Sequence, residues 1–369
     1  MSPKAVITGW GKCVPPVELT NQDLEKVMDT SDQWIFERTG IKSRRISHVE
    51  GTDLAELAAR RALACAGLQP EDLDLIVVAS TTPELLCPSV AAMIQDRLGA
   101  VNAGTFDLNA ACSGFVYATA NITGMIESGF VKKVLVIGAE KLHIAMDYRD
   151  RSTAILFGDG AGAAIYEATE GDAGVLAVDL GADGSMGYTM VFPSLGTRGE
   201  PYEARPIEDV RLYFEGQPVF KMAVKGMTAS TEKTLERAGL TVDDVDLVIP
   251  HQANARIIDA AARRMGVPLE KVFTNIENLG NTAAASIPMA ISDALAAGRL
   301  HPGDVVVMPA FGGGITWGTL IMRWGERTTP VGTHQGELPP TDATVFDLLE
   351  NNLRFFAPLH DRDPADPIL

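Results

Sequence analysis

The chain has no apolar run approaching the roughly 18 residues that a membrane span needs, and its N-terminus lacks the basic-then-apolar pattern of an export signal. Neither a membrane-embedded nor an exported protein is expected. Basic residues are too few to balance the acids: 31 Lys and Arg against 48 Asp and Glu leave a net charge of −17. A surface of that sign repels phosphate backbones and anionic lipid, which excludes nucleic acid and membrane as main partners. Cysteine is scarce as well. The four, at 13, 65, 87 and 112, are scattered, with no CxxC and no Cys/His ligand spacing. Neither a metal site nor a disulfide framework is indicated, and a reducing cytoplasm fits best.

What is present is an ordinary soluble composition, 46% hydrophobic and 21% charged, in 369 residues, enough for two fused halves around a sizeable core. Lys4 to Gly9 and Leu75 to Ala79 read as buried strands, Thr52 to Cys65 as an Ala-rich helix, and Gln217 to Ala238 as a long helix. Buried strands alternating with helices predict an α/β fold. An internal repeat sharpens this. Ala66-Gly-Leu-Gln-Pro-Glu-Asp-Leu-Asp-Leu-Ile-Val77 is echoed by Ala238-Gly-Leu-Thr-Val-Asp-Asp-Val-Asp-Leu-Val-Ile249, 172 residues on. Cys112 and Asn281 each open a segment closed by glycine 17 residues later, at Gly129 and Gly298. The shared order predicts duplicated halves, 1–175 and 176–325, with Cys112 and Asn281 in equivalent places. Phe192 to Val210 reads as an exposed insertion. Residues 326–369 form an acidic tail whose Val345–Phe356 stretch has one helical apolar face.

The chemistry centres on Asp107-Leu-Asn-Ala-Ala-Cys-Ser-Gly-Phe115. Gly104 to Leu108 reads as a short buried strand and Phe115 to Ser128 as a helix, so Cys112 stands at a strand-to-helix turn. The positive end of a helix there can lower a thiol pKa and make a nucleophile; a buried structural cysteine is the alternative. His251, in Pro250-His-Gln-Ala-Asn254, ends a buried strand, where reacting groups collect in parallel sheets. Alone it reads first as a structural histidine, and Asn281 first as a helix cap. Ala310-Phe-Gly-Gly-Gly314 bares backbone N–H groups that an oxyanion could use, or is a tight turn. Gly158-Asp-Gly-Ala-Gly162, with Asp179 downstream, imitates a dinucleotide loop. Ala163 to Tyr166 reads as a strand rather than the helix such a loop needs.

In this order, Thr30-Ser-Asp-x-Trp34-Ile-x-x-Arg38-Thr-Gly-Ile41, Ala110-Ala-Cys112-Ser-Gly114, Phe157-Gly-Asp-Gly-Ala-Gly162, Pro250-His251-Gln-Ala-Asn254, Gly280-Asn281-Thr and Phe311-Gly-Gly-Gly314 make residues 4–324 resemble the thiolase-fold condensing enzymes, specifically the β-ketoacyl-[acyl-carrier-protein] synthase III family. The resemblance implies a layered α-β-α-β-α architecture of two α/β halves and a cytoplasmic homodimer. It implies an acyl-CoA primer condensed with malonyl-acyl carrier protein, without metal or redox cofactor. It assigns Cys112, His251 and Asn281 to catalysis, and the N–H groups of Cys112 and Gly313 to the oxyanion hole. Thr30, Trp34, Arg38, Arg151, Phe220 and Asn254 would meet coenzyme A, and Cys87 and Phe311 the acyl group. Lys221, Arg256, Arg263 and Arg264, with Lys225, would form a cationic rim for the acidic carrier protein.

Two departures stand out. Cys87 occupies the place of a residue that closes the acyl pocket across the dimer, and its small size predicts a pocket for primers larger than acetyl. The tail beyond Trp324 exceeds the family pattern and is expected to dock on the enzyme's own surface. Acyl transfer from Cys112 to an alcohol or amine, without carbon–carbon bond formation, is the alternative activity.

Overall fold

The structure, a computed structural model, describes residues 2–192 and 211–360, so most of the expected Phe192–Val210 insertion lies outside the described residues. In chain order the first half comprises β1 (Lys4–Cys13), β2 (Val17–Thr20), α1 (Asn21–Leu24), α2 (Asp32–Thr39), β3 (Ser43–Ile46), α3 (Gly51–Ala66), β4 (Leu75–Ala79), α4 (Val90–Leu98), β5 (Gly104–Leu108), α5 (Gly114–Glu127), β6 (Lys133–Glu140) and β7 (Gly160–Thr169). The second comprises β8 (Gly174–Ala182), β9 (Met190–Val191), β10 (Tyr213–Phe214), α6 (Gly216–Ala238), β11 (Leu247–Val248), α7 (Ala255–Met265), α8 (Ile276–Leu279), α9 (Ser286–Ala296), β12 (Val305–Gly312) and β13 (Thr316–Arg323). Helix α10 (Val345–His360) follows.

The two main sheets repeat one another. Their orders are β1–β7–β6–β4–β5 and β8–β13–β12–β11. In each, the first three strands are antiparallel and the fourth joins in parallel. A parallel bridge from Val248 to Val272 stands where a fifth strand of the second sheet would lie. The repeated sequence folds the same way twice. Gly67 (φ 72) and Gly239 (φ 68) end α3 and α6 in the left-handed conformation, and 3-10 turns at Pro70–Asp72 and Val242–Asp244 lead into β4 and β11. Helices α3 and α4 cover the outer face of the first sheet, and α6 with α7 the outer side of the second. Apolar side chains of α5 and α9, among them Phe115, Ile122, Ile287 and Ile291, share one core with both inner faces. The result is the five-layered α-β-α-β-α arrangement.

The structure corrects the pairing of Cys112 with Asn281. Ala111 (φ 49) and Ala283 (φ 43) are the two non-glycine residues with positive φ among the described residues, and they stand 172 positions apart, like the two helix ends. The Ala111 N–H donates to Asn109 Oδ1 (3.1 Å) and the Ala283 N–H to Asn281 Oδ1 (2.9 Å). The counterpart of Asn281 is therefore Asn109, and that of Cys112 is Ala284. Counting back from the closing glycines misleads because α5 has 14 residues and α9 has 11.

Each half lends its turn to the other. A Cβ on Gly138 of β6 would stand 2.2 Å from Ala284 O, and one on Gly312 of β12 would stand 2.7 Å from Cys112 N. Only glycine lets these turns reach the opposite sheet.

Several boundaries and exposures differ from expectation. β1 continues to Cys13 because its pairing with β7 resumes after an irregularity between Ile7 and Gly9. β5 is not buried: among the described residues β4 alone pairs with it, leaving Gly104 and Asp107 exposed at the sheet edge. The dinucleotide-like run enters β7 as a strand, and Asp179 is buried on β8 with Lys233 Nζ at 2.6 Å and Arg237 Nη1 at 3.0 Å.

Candidate active site

Cys112 sits in a 3-10 turn just ahead of α5, with its thiol buried. Burial pushes that thiol up to about 12, and the Glu140 carboxylate adds to the effect; the residue's own backbone N–H, bonded to the sulfur, opposes it. The helix N-terminus was expected to lower the pKa. Burial in the closed site acts against that effect, because a thiolate taken out of water is disfavoured relative to the thiol.

His251 follows β11, its N–H held by Pro309 O at 2.8 Å. Its Nδ1 lies 2.7 Å from Ser286 Oγ, which also accepts the Gln252 N–H at 3.3 Å, leaving Nε2 for the cavity. Burial drives the imidazole down to about 3, so it is neutral at neutral pH. Asn281 is fixed between strands: its N–H donates to Leu156 O (2.8 Å) and its carbonyl accepts from Gly158 (3.0 Å). With its Oδ1 engaged by Ala283, the side chain offers its Nδ2 hydrogens.

These three side chains line one cavity of about 230 Å³ with Trp34, Arg38, Arg151, Phe220, Asn254 and Phe311. Guanidinium groups of Arg38 and Arg151 stand 4.2 and 5.0 Å from the Trp34 ring centroid, a cation-lined aromatic at the cavity wall. Asn254 caps α7 through the Arg256 N–H (2.8 Å) and donates to Arg38 O (3.1 Å), tying the elements that carry these residues. A second cavity of about 530 Å³ meets the first at Cys112, Phe157 and Met190. Thr81, Pro83, Leu86, Leu142, Leu212, Ala283 and Gly313 line it, and its surface is mostly apolar.

Not every expected residue joins these cavities. Thr30 lines neither, although its hydroxyl is buried and unpartnered. Phe311 lies with His251 and Asn281 rather than in the apolar cavity, because β12 runs to Gly312 and carries it to that side. Cys87 is exposed beyond Leu86 and lines neither cavity within its own chain. Lys221 and Arg256 share an opening with Arg38, Phe220 and Asn254. Lys225, Arg263 and Arg264 are exposed on α6 and α7 outside it.

Two contributors escaped the sequence reading. Ser286 holds His251 and was legible only as the last residue of a small-residue run. Glu140 is fully buried at the end of β6, accepting from Thr82 Oγ1 (2.7 Å), Thr81 Oγ1 (2.9 Å) and the Thr81 N–H (3.1 Å). Burial raises its carboxyl to about 7 against those hydrogen bonds. The strand-end rule that found His251 would have found Glu140 on β6.

Comparison with known proteins accounts for this arrangement. Family models described as 3-oxoacyl-[acyl-carrier-protein] synthase III match residues 106–184, and as the C-terminal part of the same family residues 235–324. The chain is 45% identical over 348 residues to β-ketoacyl-[acyl-carrier-protein] synthase III 2 of Vibrio cholerae, covering 94% of this chain and 95% of the relative. It is 47% identical over 324 residues to β-ketoacyl-[acyl-carrier-protein] synthase III of Geobacillus kaustophilus, covering 87% and 99%. The crystal structure of 3-oxoacyl-[acyl-carrier-protein] synthase III from Aquifex aeolicus superimposes with a TM-score of 0.82 at 45% identity, over 87% of this chain and all of the other. A thiol, a neutral imidazole and an amide donor converging on one cavity are thus set on the framework of relatives that match nearly end to end, and the chain belongs to the 3-oxoacyl-[acyl-carrier-protein] synthase III family.

Proposed function

We infer that the chain performs its family's reaction, the decarboxylative condensation of an acyl-CoA primer with malonyl-acyl carrier protein. The observation that carries this is the convergence of Cys112, neutral His251 and the free Asn281 amide on one cavity. Cys112 sulfur attacks the primer thioester; the thiol proton ends on the departing coenzyme A sulfur, and the acyl group stays on Cys112. The N–H groups of Cys112 and Gly313 would hold the oxygen charge of the tetrahedral intermediate. The malonyl thioester then loses CO₂. Enolate charge grows on its carbonyl oxygen, where His251 Nε2–H and Asn281 Nδ2–H donate without being consumed. The carbanion attacks the acyl-Cys112 carbonyl, the carbon–sulfur bond breaks to release a β-ketoacyl thioester, and the Cys112 thiolate takes a proton from solvent. No step requires a metal or redox group.

The Trp34, Arg38, Arg151, Phe220 and Asn254 wall suits coenzyme A, with the adenine on Trp34 and phosphates at the guanidiniums. The apolar cavity suits the acyl chain, and its size supports primers longer than acetyl. A homodimer fits the unpaired edge of β5 and would bring Cys87 of a second copy toward that cavity. The organisation we propose is 1–175, 176–325 and a 326–369 tail. Incubation with acyl-CoA esters of two to eight carbons and malonyl-carrier protein should give acyl-Cys112 by intact mass and CO₂ release with several longer primers. Use of acetyl-CoA alone would count against the pocket reading, and acylation without CO₂ release against condensation.

Lys221, Lys225, Arg256, Arg263 and Arg264 have no acidic partner among the described residues, on a chain of net charge −17. Such a local cationic rim suits an acidic carrier protein. Reversing charge in Arg263→Glu/Arg264→Glu, outside the opening shared with Arg38, should raise KM for malonyl-carrier protein about tenfold while leaving KM for malonyl-CoA unchanged. Equal KM values before and after for the carrier protein would remove these residues from the docking surface.

A further inference from the structure

Beyond Trp324 the described residues, up to His360, stay against the body of the molecule. The Val331 and Gly332 N–H groups donate to Cys65 O (3.0 Å) and Ala64 O (3.1 Å) at the end of α3, and the segment continues to α10. Leu349 is fully buried and Phe356 nearly so, Leu349 in the same apolar cluster as Cys112, Leu142 and Leu212. Two polar side chains fix the helix to one segment of the first half. Asn352 Nδ2 donates to both His143 O (3.2 Å) and Met146 O (2.7 Å). His360 Nε2 lies 2.7 Å from the buried Asp147 carboxylate.

That segment serves both cavities. Its 3-10 turn Leu142–Ala145 puts Leu142 into the wall of the apolar cavity, and Ala145 O accepts the N–H of Leu212 (3.1 Å), another wall residue. A few residues on, Asp147 Oδ1 accepts the Arg149 N–H at 3.0 Å, in the turn that delivers Arg151 to Trp34. Asn352 therefore grips the end that shapes the apolar cavity, and His360 the end that presents the guanidinium.

Resting on the proposed reaction, we propose that α10 is a specificity-determining strap: Asn352 sets the apolar cavity wall that selects primer length, and His360 holds the Arg151 turn against coenzyme A. Both are positioning residues, since neither lines either cavity. A helix that only stabilised the fold would change every substrate's turnover alike. A strap with two grips separates the effects.

The test compares the full chain with Asn352→Ala, with His360→Ala and with a chain ending at Asp342, using acyl-CoA primers of two to eight carbons, intact-mass detection of acyl-Cys112 and thermal unfolding. Asn352→Ala should raise the ratio of eight-carbon to two-carbon kcat/KM about fivefold, with KM for acetyl-CoA little changed. His360→Ala should raise KM for every acyl-CoA by a similar factor, about three- to tenfold, with kcat retained. The shortened chain should show both changes; should it not fold, the point variants decide alone. Full chain acylated, with both point variants keeping its length profile and KM, would overturn the strap. A full chain that no acyl-CoA acylates would overturn the reaction itself, and the strap with it.

Discussion

Cys112→Ala protein is expected to show no acyl adduct by intact mass with any acyl-CoA and to lose condensation by about 10⁴-fold or more, since covalent capture has no substitute in the site. It should nonetheless still decarboxylate malonyl-carrier protein, because the donors for the enolate, His251 and Asn281, are untouched. In the unmodified chain, the pH dependence of Cys112 alkylation by iodoacetamide distinguishes the two forces on the thiol. Burial pushes it up to about 12. The thiolate fraction, and with it the rate followed on the Cys112 peptide, should then rise about tenfold per pH unit from pH 7 to 9 without a plateau. A plateau below pH 8 would mean that the helix N-terminus outweighs desolvation.

The sequence made the local pieces legible and left the long-range ones obscure, for physical reasons. Strands such as Leu75–Ala79 are readable because burial on both faces demands a continuous apolar run. Helix ends at Gly67 and Gly239 are readable because left-handed caps favour glycine. The repeat survived because the same acidic turn leads into a buried strand in each half. The register between Cys112 and Asn281 was misread because it depends on Ala111 and Ala283, ordinary alanines whose positive φ nothing in their identity reveals. β5 was misread because an edge strand and a central strand differ in neighbours rather than composition. Glu140 and Ser286 went unnoticed since a buried polar residue announces itself only through its partners: Thr81 and Thr82 for one, His251 for the other. A helix terminus can be read from a pattern, whereas desolvation depends on everything packed around the sulfur.

His251→Ala and Asn281→Ala should produce the converse of Cys112→Ala: acyl-Cys112 still forms, but malonyl decarboxylation and condensation fall by about 10² to 10³ each, the usual cost of one oxyanion donor. The double variant should lose less than the product of the two, because both donors serve one oxygen and the first loss already exposes it to water. Ser286→Ala should fall in the same direction by a smaller factor, as it frees the imidazole without removing it. The pH profile follows from burial. His251 is held down to about 3, so between pH 5 and 7 it stays neutral and keeps its N–H for the enolate. Decarboxylation measured in Cys112→Ala protein should therefore be flat across that range, with no acid limb near 6.5, the ordinary value of a histidine. An acid limb there that disappears in His251→Ala would show that the imidazolium forms in the site. Loss of acylation in either single variant would show instead that His251 or Asn281 acts at the first step, and the division of labour between the nucleophile and the two donors would have to be redrawn.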